Sequence, residues 1–154
     1  MHAKVADVFL GSEASAGSVA HGYTYSGHPA AAAAALATLD ILESEDVVGN
    51  AARQGEHLMQ RLRALASRSG LIGDVRGIGL MVCLELVADQ ATKKPLPRGA
   101  KEINQVARSA YRRGAMVRTS GPNIILSPAL TIDRAEIDHL CDALEGAFAE
   151  VEGR

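Results

Sequence analysis

Val75-Arg-Gly-Ile-Gly-Leu-Met-Val-Cys-Leu-Glu-Leu-Val87 decides the fold class. Ile78, Leu80, Val82, Leu84 and Leu86 alternate along it, and the positions between them are mostly apolar too. A strand wetted on one side carries polar residues at every second place, so hydrophobicity on both sides predicts a single interior strand over 75–87. Gly77 and Gly79 are expected to let that strand bend or approach another backbone.

The flanking text is helical. On the N-terminal side, Pro29 suits a first helical position, where its missing N–H is not needed, and Ala32, Ala35, Leu36, Leu39 and Leu42 continue the pattern to about Glu43. A second helix is expected from Asp46 to about Arg68, with Val47, Val48, Ala51, Ala52, Leu58, Met59, Leu62 and Leu65 on one stripe, joined to the first by a tight turn. Gly70 is expected to end it with a positive φ.

On the C-terminal side, Asp89–Arg98, with Pro95 and Pro97, reads as a loop. Ile103, Val106, Ala107, Ala110 and Tyr111 give a third amphipathic helix with Gly114 past its end. Strands over 115–118 and 124–127 flank the turn Thr119–Asn123 and predict a hairpin. The last helix opens on Asp133 and Glu136 at capping-box spacing and runs through Ile137, Leu140, Cys141, Leu144, Ala147, Phe148 and Val151. Together these elements make an α+β domain, with helices packed on a small, mainly antiparallel sheet.

Composition narrows the function. A chain of 154 residues has room for one hydrophobic core. The formal charge of −2 and an aromatic content of 3% argue against nucleic acid, which needs a dense basic surface and gains from stacking. Cys83 and Cys141 lie in apolar patterns with no His at metal-ligand spacing, so two reduced core thiols, no metal site and a cytoplasmic location are expected. The Ala-rich run Ala30–Ala37 meets Asp40 and Glu43 well before it reaches bilayer-spanning length, and the N-terminus has no basic-then-apolar signal. The Gly- and Ser-rich stretch to Ser26 offers one apolar patch, Val5, Val8, Phe9 and Leu10, and is expected to lie against a missing neighbour.

Two places carry chemistry. His21-Gly-Tyr-Thr-Tyr-Ser-Gly-His-Pro29 runs hydroxyls and glycines into a helix, which suits a phosphate or other anion; an ordinary Ser/Gly helix-entry loop is the alternative. His21 and His28 have no carboxylate beside them in sequence and are read as polar surface or capping residues. Arg118, at a strand end beside a flexible turn, has the forked donors to clamp a carboxylate, and a solvated arginine is the other reading. No nucleophilic triad or complete dinucleotide fingerprint is present.

Gly22-Tyr-Thr-Tyr-Ser-Gly-His-Pro29 with its Ala-rich helix resembles the corresponding segment of class III pyridoxal-phosphate-dependent aminotransferases, the group of the ω-amino acid:pyruvate enzymes. The resemblance continues in order through Asp74-Val-Arg-Gly-Ile-Gly-Leu80, Met116-Val-Arg-Thr-Ser-Gly121, Leu126-Ser-Pro-Ala-Leu130 and Asp133-Arg-Ala-Glu-Ile-Asp138.

That resemblance implies the C-terminal small domain of a fold-type I enzyme, with residues 1–27 belonging to a large cofactor domain and 28–154 to the small domain. It implies a homodimer in which Tyr23 and Thr24 hold the phosphate of the partner's pyridoxal phosphate. It implies that Arg118 pairs with a substrate carboxylate and swings aside for amines. The substrates would be an amine or amino acid and a keto acid such as pyruvate. The cofactor-holding lysine of such enzymes lies upstream of the matching segment, and Lys4, Lys93, Lys94 and Lys101 fall at other positions, so no catalytic residue and no activity are expected of this chain alone. A free-standing binding or regulatory module, and one half of a split enzyme with a separate cofactor-domain chain, are the alternatives.

Overall fold

The computed structural model describes residues 3–10, 22–97 and 99–153. It divides into two compact units between Leu39 and Asp40. In the first, α1 spans Ala3–Leu10 and α2 begins at Pro29, continuing to Ser44. The apolar patch of the N-terminus is thus one turn of helix after another, with Val5, Val8 and Phe9 on its exposed surface. None of α2 is buried, and Leu36 and Leu39 stand exposed. The Gly/Ser-rich stretch 11–20 and His21 lie outside the described residues.

The second unit contains the core. Helix α3 (Val47–Ala66) follows α2 after two residues, as the tight turn required, with Asp46 in the left-handed region at φ 47°. Then come β1 (Ile72–Ile78), β2 (Met81–Asp89), β3 (Lys94–Pro95), α4 (Glu102–Arg112), β4 (Arg118–Ser120), β5 (Asn123–Leu126) and α5 (Arg134–Glu152). Every strand pair is antiparallel, in the order β1-β2-β5-β4, with β3 paired to the far end of β2. Helices α3, α4 and α5 pack on one face through Leu58, Leu62, Val106, Ile137, Leu144 and Phe148, which meet Val82, Leu84, Leu86, Ile124 and Leu126 from the strands. The expected α+β class is observed.

The single strand expected over 75–87 is two strands. Ile78 faces Met81 across the turn Gly79-Leu80, and Gly79 takes φ 53°, a conformation a side chain resists, so the chain doubles back where alternation alone continues straight. Facing Met81, Ile78 shares its exposed side, while Val82 and Leu84 turn into the core, so the two-residue turn changes the face of the series that begins at Ile78; with apolar residues on both sides, alternation carries no mark of the change. The turn packs so close to α3 that a Cβ on Gly55 would stand 2.4 Å from the Gly79 carbonyl carbon. Helix and hairpin therefore meet backbone to backbone.

Other boundaries also moved. The loop expected over 89–98 holds β3, because Lys93 at φ 56° turns Lys94 and Pro95 back onto β2. The hairpin expected near residue 120 forms, but its first strand starts at Arg118 and its turn narrows to Gly121-Pro122. Gly114, just past the end of α4 as expected, takes a positive φ of 91°, whereas Gly70, of which a positive φ was expected, does not. Helix α3 ends earlier, at Ala66, and the Gly70 N–H donates to Glu152 at the far end of α5. Tyr111, placed on the apolar stripe of α4, is exposed, while Ser109 is buried through its hydrogen bond to Glu150. The Asp133–Glu136 capping box is present in both directions.

Candidate functional site

In the first unit, Tyr23 and Thr24 lie in the turn that precedes α2, and both are exposed. The Ser26 N–H donates to the Tyr23 carbonyl and the His28 N–H to the Tyr25 carbonyl, which fixes the turn. His28 accepts the Ala31 N–H at its Nδ1, 3.4 Å away, a capping contact and one of the two roles, polar surface or capping, expected of it. Among the described residues the Thr24 hydroxyl has no hydrogen-bond partner. Helix N-termini present unsatisfied N–H groups and partial positive charge, so a hydroxyl there adds to an anion-attracting end.

In the second unit, Arg118 opens the edge strand β4, opposite Ile125 on β5. It is exposed, and among the described residues no carboxylate pairs with it. Arg118 stands at a cleft of about 990 Å³ whose wall is mostly apolar: Val117, Ile125, Ala129 and Leu140, with His139 and Glu136 from the first turns of α5. Among the described residues no lysine lines this cleft.

Residues directly opposite each other in antiparallel pairs point to one face. The register therefore sets Arg76, Cys83, Ile125 and Arg118 in one row, and Asp74, Glu85, Asn123 and Ser120 in the next, on the face of the sheet away from the core. Arg76 Nη1 donates to Asp74 Oδ2 at 2.9 Å and to Glu85 Oε2 at 2.6 Å; its Nη2 donates to Asn123 Oδ1 at 3.2 Å. Cys83 Sγ donates to the same Asn123 oxygen at 3.3 Å. The hydrogen bonds from Arg76 to Asp74 and then to Glu85 hold its guanidinium above its ordinary pKa. This cluster went unassigned in the sequence. The spacing Asp74-x-Arg76 was a signal for it, since two residues apart on a strand means one face, but Glu85 joins them only once the Gly79 turn is recognised.

Neither thiol is set up for nucleophilic work. Burial pushes the Cys141 thiol up to about 12 and raises that of Cys83 as well, so both stay protonated at neutral pH. Both are free, with Cys141 fully buried and Cys83 half-buried. Lys93 donates to the Gly73 carbonyl, which ties its amine to a strand end. Among the described residues no group of three or more metal-ligating side chains comes together, and no helix is long and apolar enough to cross a membrane.

Comparison with known proteins gives this geometry a context. A family model described as aminotransferase class III matches residues 1–148. The chain is 42% identical over 144 residues to an adenosylmethionine-8-amino-7-oxononanoate aminotransferase of Methanocaldococcus jannaschii, covering 94% of this chain and 31% of that protein. It is 39% identical over 132 residues to a taurine–pyruvate aminotransferase of Rhodobacter capsulatus, covering 81% and 28%. The crystal structure of an amine transaminase from an uncultivated Pseudomonas species, in a PLP-bound form, superposes with a TM-score of 0.81 at 50% identity, over 86% of this chain and 30% of that one. The chain spans about a third of the length of the relatives it matches.

Proposed function

The chain belongs to the class III aminotransferases, and from that premise we propose that it forms the C-terminal portion of an enzyme moving an amino group between an amine or ω-amino acid and a keto acid such as pyruvate. The observation that carries this reading is Arg118: an exposed guanidinium with no carboxylate partner among the described residues, at the mouth of an apolar cleft. Its planar fork matches a carboxylate in two-point fashion, and a charge-assisted pair of that kind fixes orientation as well as position. Val117 and Ile125 beside it offer apolar surface to the rest of a substrate. The taurine–pyruvate relative and the amine transaminase, by their names, favour pyruvate as acceptor and amines as donors.

The donor set fits pyridoxal phosphate in part. Thr24, with an exposed hydroxyl before the N-terminus of α2, and its neighbour Tyr23 suit the phosphate, and in this reading they hold that of a partner subunit in a homodimer. The cofactor, when bound, supplies the electron sink that the transfer requires. None of Lys4, Lys93, Lys94 and Lys101 is placed to hold it, in this reading. Residues 1–27 then belong with a large cofactor domain, residues 28–154 form the small domain, and catalysis needs a lysine from outside the chain.

The test is direct. The chain is incubated with pyridoxal phosphate, reduced with borohydride and digested for mass spectrometry. No modified lysine and no turnover of an amine with pyruvate are expected. Labelling at any of the four lysines together with turnover would overturn the assignment of the chain as a cofactor-domain-dependent portion.

A further inference from the structure

Arg118 shares its face of the sheet with two carboxylates, and it pairs with neither. Two strands and two residues separate it from Glu85, a Cα distance of about 12 Å from strand spacing and rise. An arginine and a glutamate reaching toward each other span such a gap. Both are surface groups: Glu85 keeps 40% of its side chain exposed. In the absence of a competitor, opposite charges on one open face pair readily. The competitor is Arg76, whose Nη1 is 2.6 Å from Glu85 and 2.9 Å from Asp74.

We propose that Arg76 is a positioning residue: by holding Glu85 and Asp74 on its own side of the sheet, and Asn123 through its second nitrogen, it keeps Arg118 unpaired and ready for an external carboxylate. The geometry distinguishes this from a purely structural staple. A staple joins elements that would otherwise separate, yet β1 and β2 already pair without a break from Asp74 to Ile78, β2 pairs with β5 from Val82 to Glu85, and the Leu86 N–H donates to the Pro122 carbonyl at 2.8 Å. Arg76 is about half exposed, where ion pairs add little to stability. What its contacts do change is which cation the carboxylates see. The cluster of Asp74, Arg76 and Glu85 carries one net negative charge, so without Arg76 the face would hold two uncompensated carboxylates, one of which, Glu85, is within reach of Arg118.

The substrate part of this inference rests on the carboxylate role proposed for Arg118, and the experiment separates the two. Arginine side-chain Nε–H resonances are recorded on the ¹⁵N-labelled chain, alone and titrated with pyruvate, for the wild type, R76M, R76K and the double variant R76M/E85Q. In R76M the Arg118 resonance should shift and its exchange with solvent should slow as Glu85 captures it. Pyruvate affinity should fall by roughly two- to fivefold, the range open to an exposed ion pair. R76K should keep Arg118 near its wild-type position, and R76M/E85Q should return both the resonance and the affinity. An Arg118 resonance unmoved in R76M, or moved and left unrestored by E85Q, overturns the role of Arg76. A wild-type Arg118 indifferent to pyruvate strikes the carboxylate reading instead, while the ligand-free spectra still decide whether Arg76 keeps Arg118 unpaired.

Discussion

Arg61, between α3 and α5, touches three carboxylates: Asp138, Asp142 at 2.6 Å and Glu145 at 3.4 Å. Arg118, on β4, touches none among the described residues. The first region spends its charge internally, and with it the rotamer freedom of four side chains, on fixing the angle between two helices. His57 adds a contact of 2.7 Å to the same Asp138 oxygen from a nearly buried ring, and beneath these groups the helices bury Leu58, Leu62, Ile137 and Leu144 completely. The second region leaves its cation in water beside an apolar cleft, where a ligand meets no internal rival. Saturated contacts make a scaffold, and unsaturated ones make a place to bind.

The comparison breaks most severely at the scaffold. Phe148 on α5 is fully buried in the common core. Phe148→Ala should destabilise the fold by about 3–5 kcal/mol, the usual cost of a large aromatic cavity, measured by urea denaturation. The same loss at both regions is expected, because the sheet that carries Arg118 is packed on that helix. A loss below about 1 kcal/mol would mean that α5 is not the keystone its burial implies.

Smaller in scale, Gly55→Ala tests the close meeting of α3 and the β1–β2 hairpin. The added Cβ would lie 2.4 Å from backbone at Gly79, which only a backbone shift can relieve. Overpacking of this kind costs about 1–3 kcal/mol, against a helix-propensity gain of about 1 kcal/mol, so a net loss in thermal unfolding is expected. An unchanged or raised Tm would show that the hairpin sits further from α3.

Asp138 sharpens the contrast through pH. The hydrogen bond from His57, then that from Arg61, holds its carboxyl below the usual carboxylate range. A depressed folded pKa stabilises the fold above the unfolded value of about 3.9 and loses that contribution as pH falls through the folded value. The wild type should therefore lose Tm more steeply than Asp138→Asn as pH drops below about 4, and the two curves should converge in acid. Parallel curves would show that Asp138 adds nothing specific.

How legible each region was follows from the same physics. The scaffold was open to reading because burial imposes periodicity: α3, α4 and α5, the capping box at Asp133 and the placement of Gly114 all follow from spacing along one element. The Gly79 turn was hidden because both sides of the stretch 75–87 are mostly apolar, so the change of face at the turn, which leaves Ile78 exposed and Val82 buried, makes no break in the pattern. β3 was hidden because Pro95 argues for a loop, although an edge position tolerates it. Arg118 and the turn holding Tyr23 and Thr24 were visible as residue types suited to anions, but the choice between ligand and solvent came from family resemblance. Of the Arg76 cluster only the Asp74-x-Arg76 spacing was open to reading, because the rest joins β1, β2 and β5 through a register that no single segment encodes.

The smallest expected effect on stability is the most informative about function. Arg118→Gln removes an exposed charge with no partner to strand, so by the logic of surface substitutions it should change the unfolding free energy by less than about 0.5 kcal/mol. Among the described residues no other guanidinium lines the cleft, so the backbone amide shifts that pyruvate is expected to produce at Val117 and Ile125 in the wild type should vanish in this variant. Arg61→Gln should do the opposite, weakening the α3–α5 seam by leaving Asp138, Asp142 and Glu145 close together without their shared cation, while pyruvate shifts persist. If Arg118→Gln lowered stability as much as Arg61→Gln, Arg118 would belong to the scaffold, and the division between saturated and unsaturated charge would not separate structure from function in this chain.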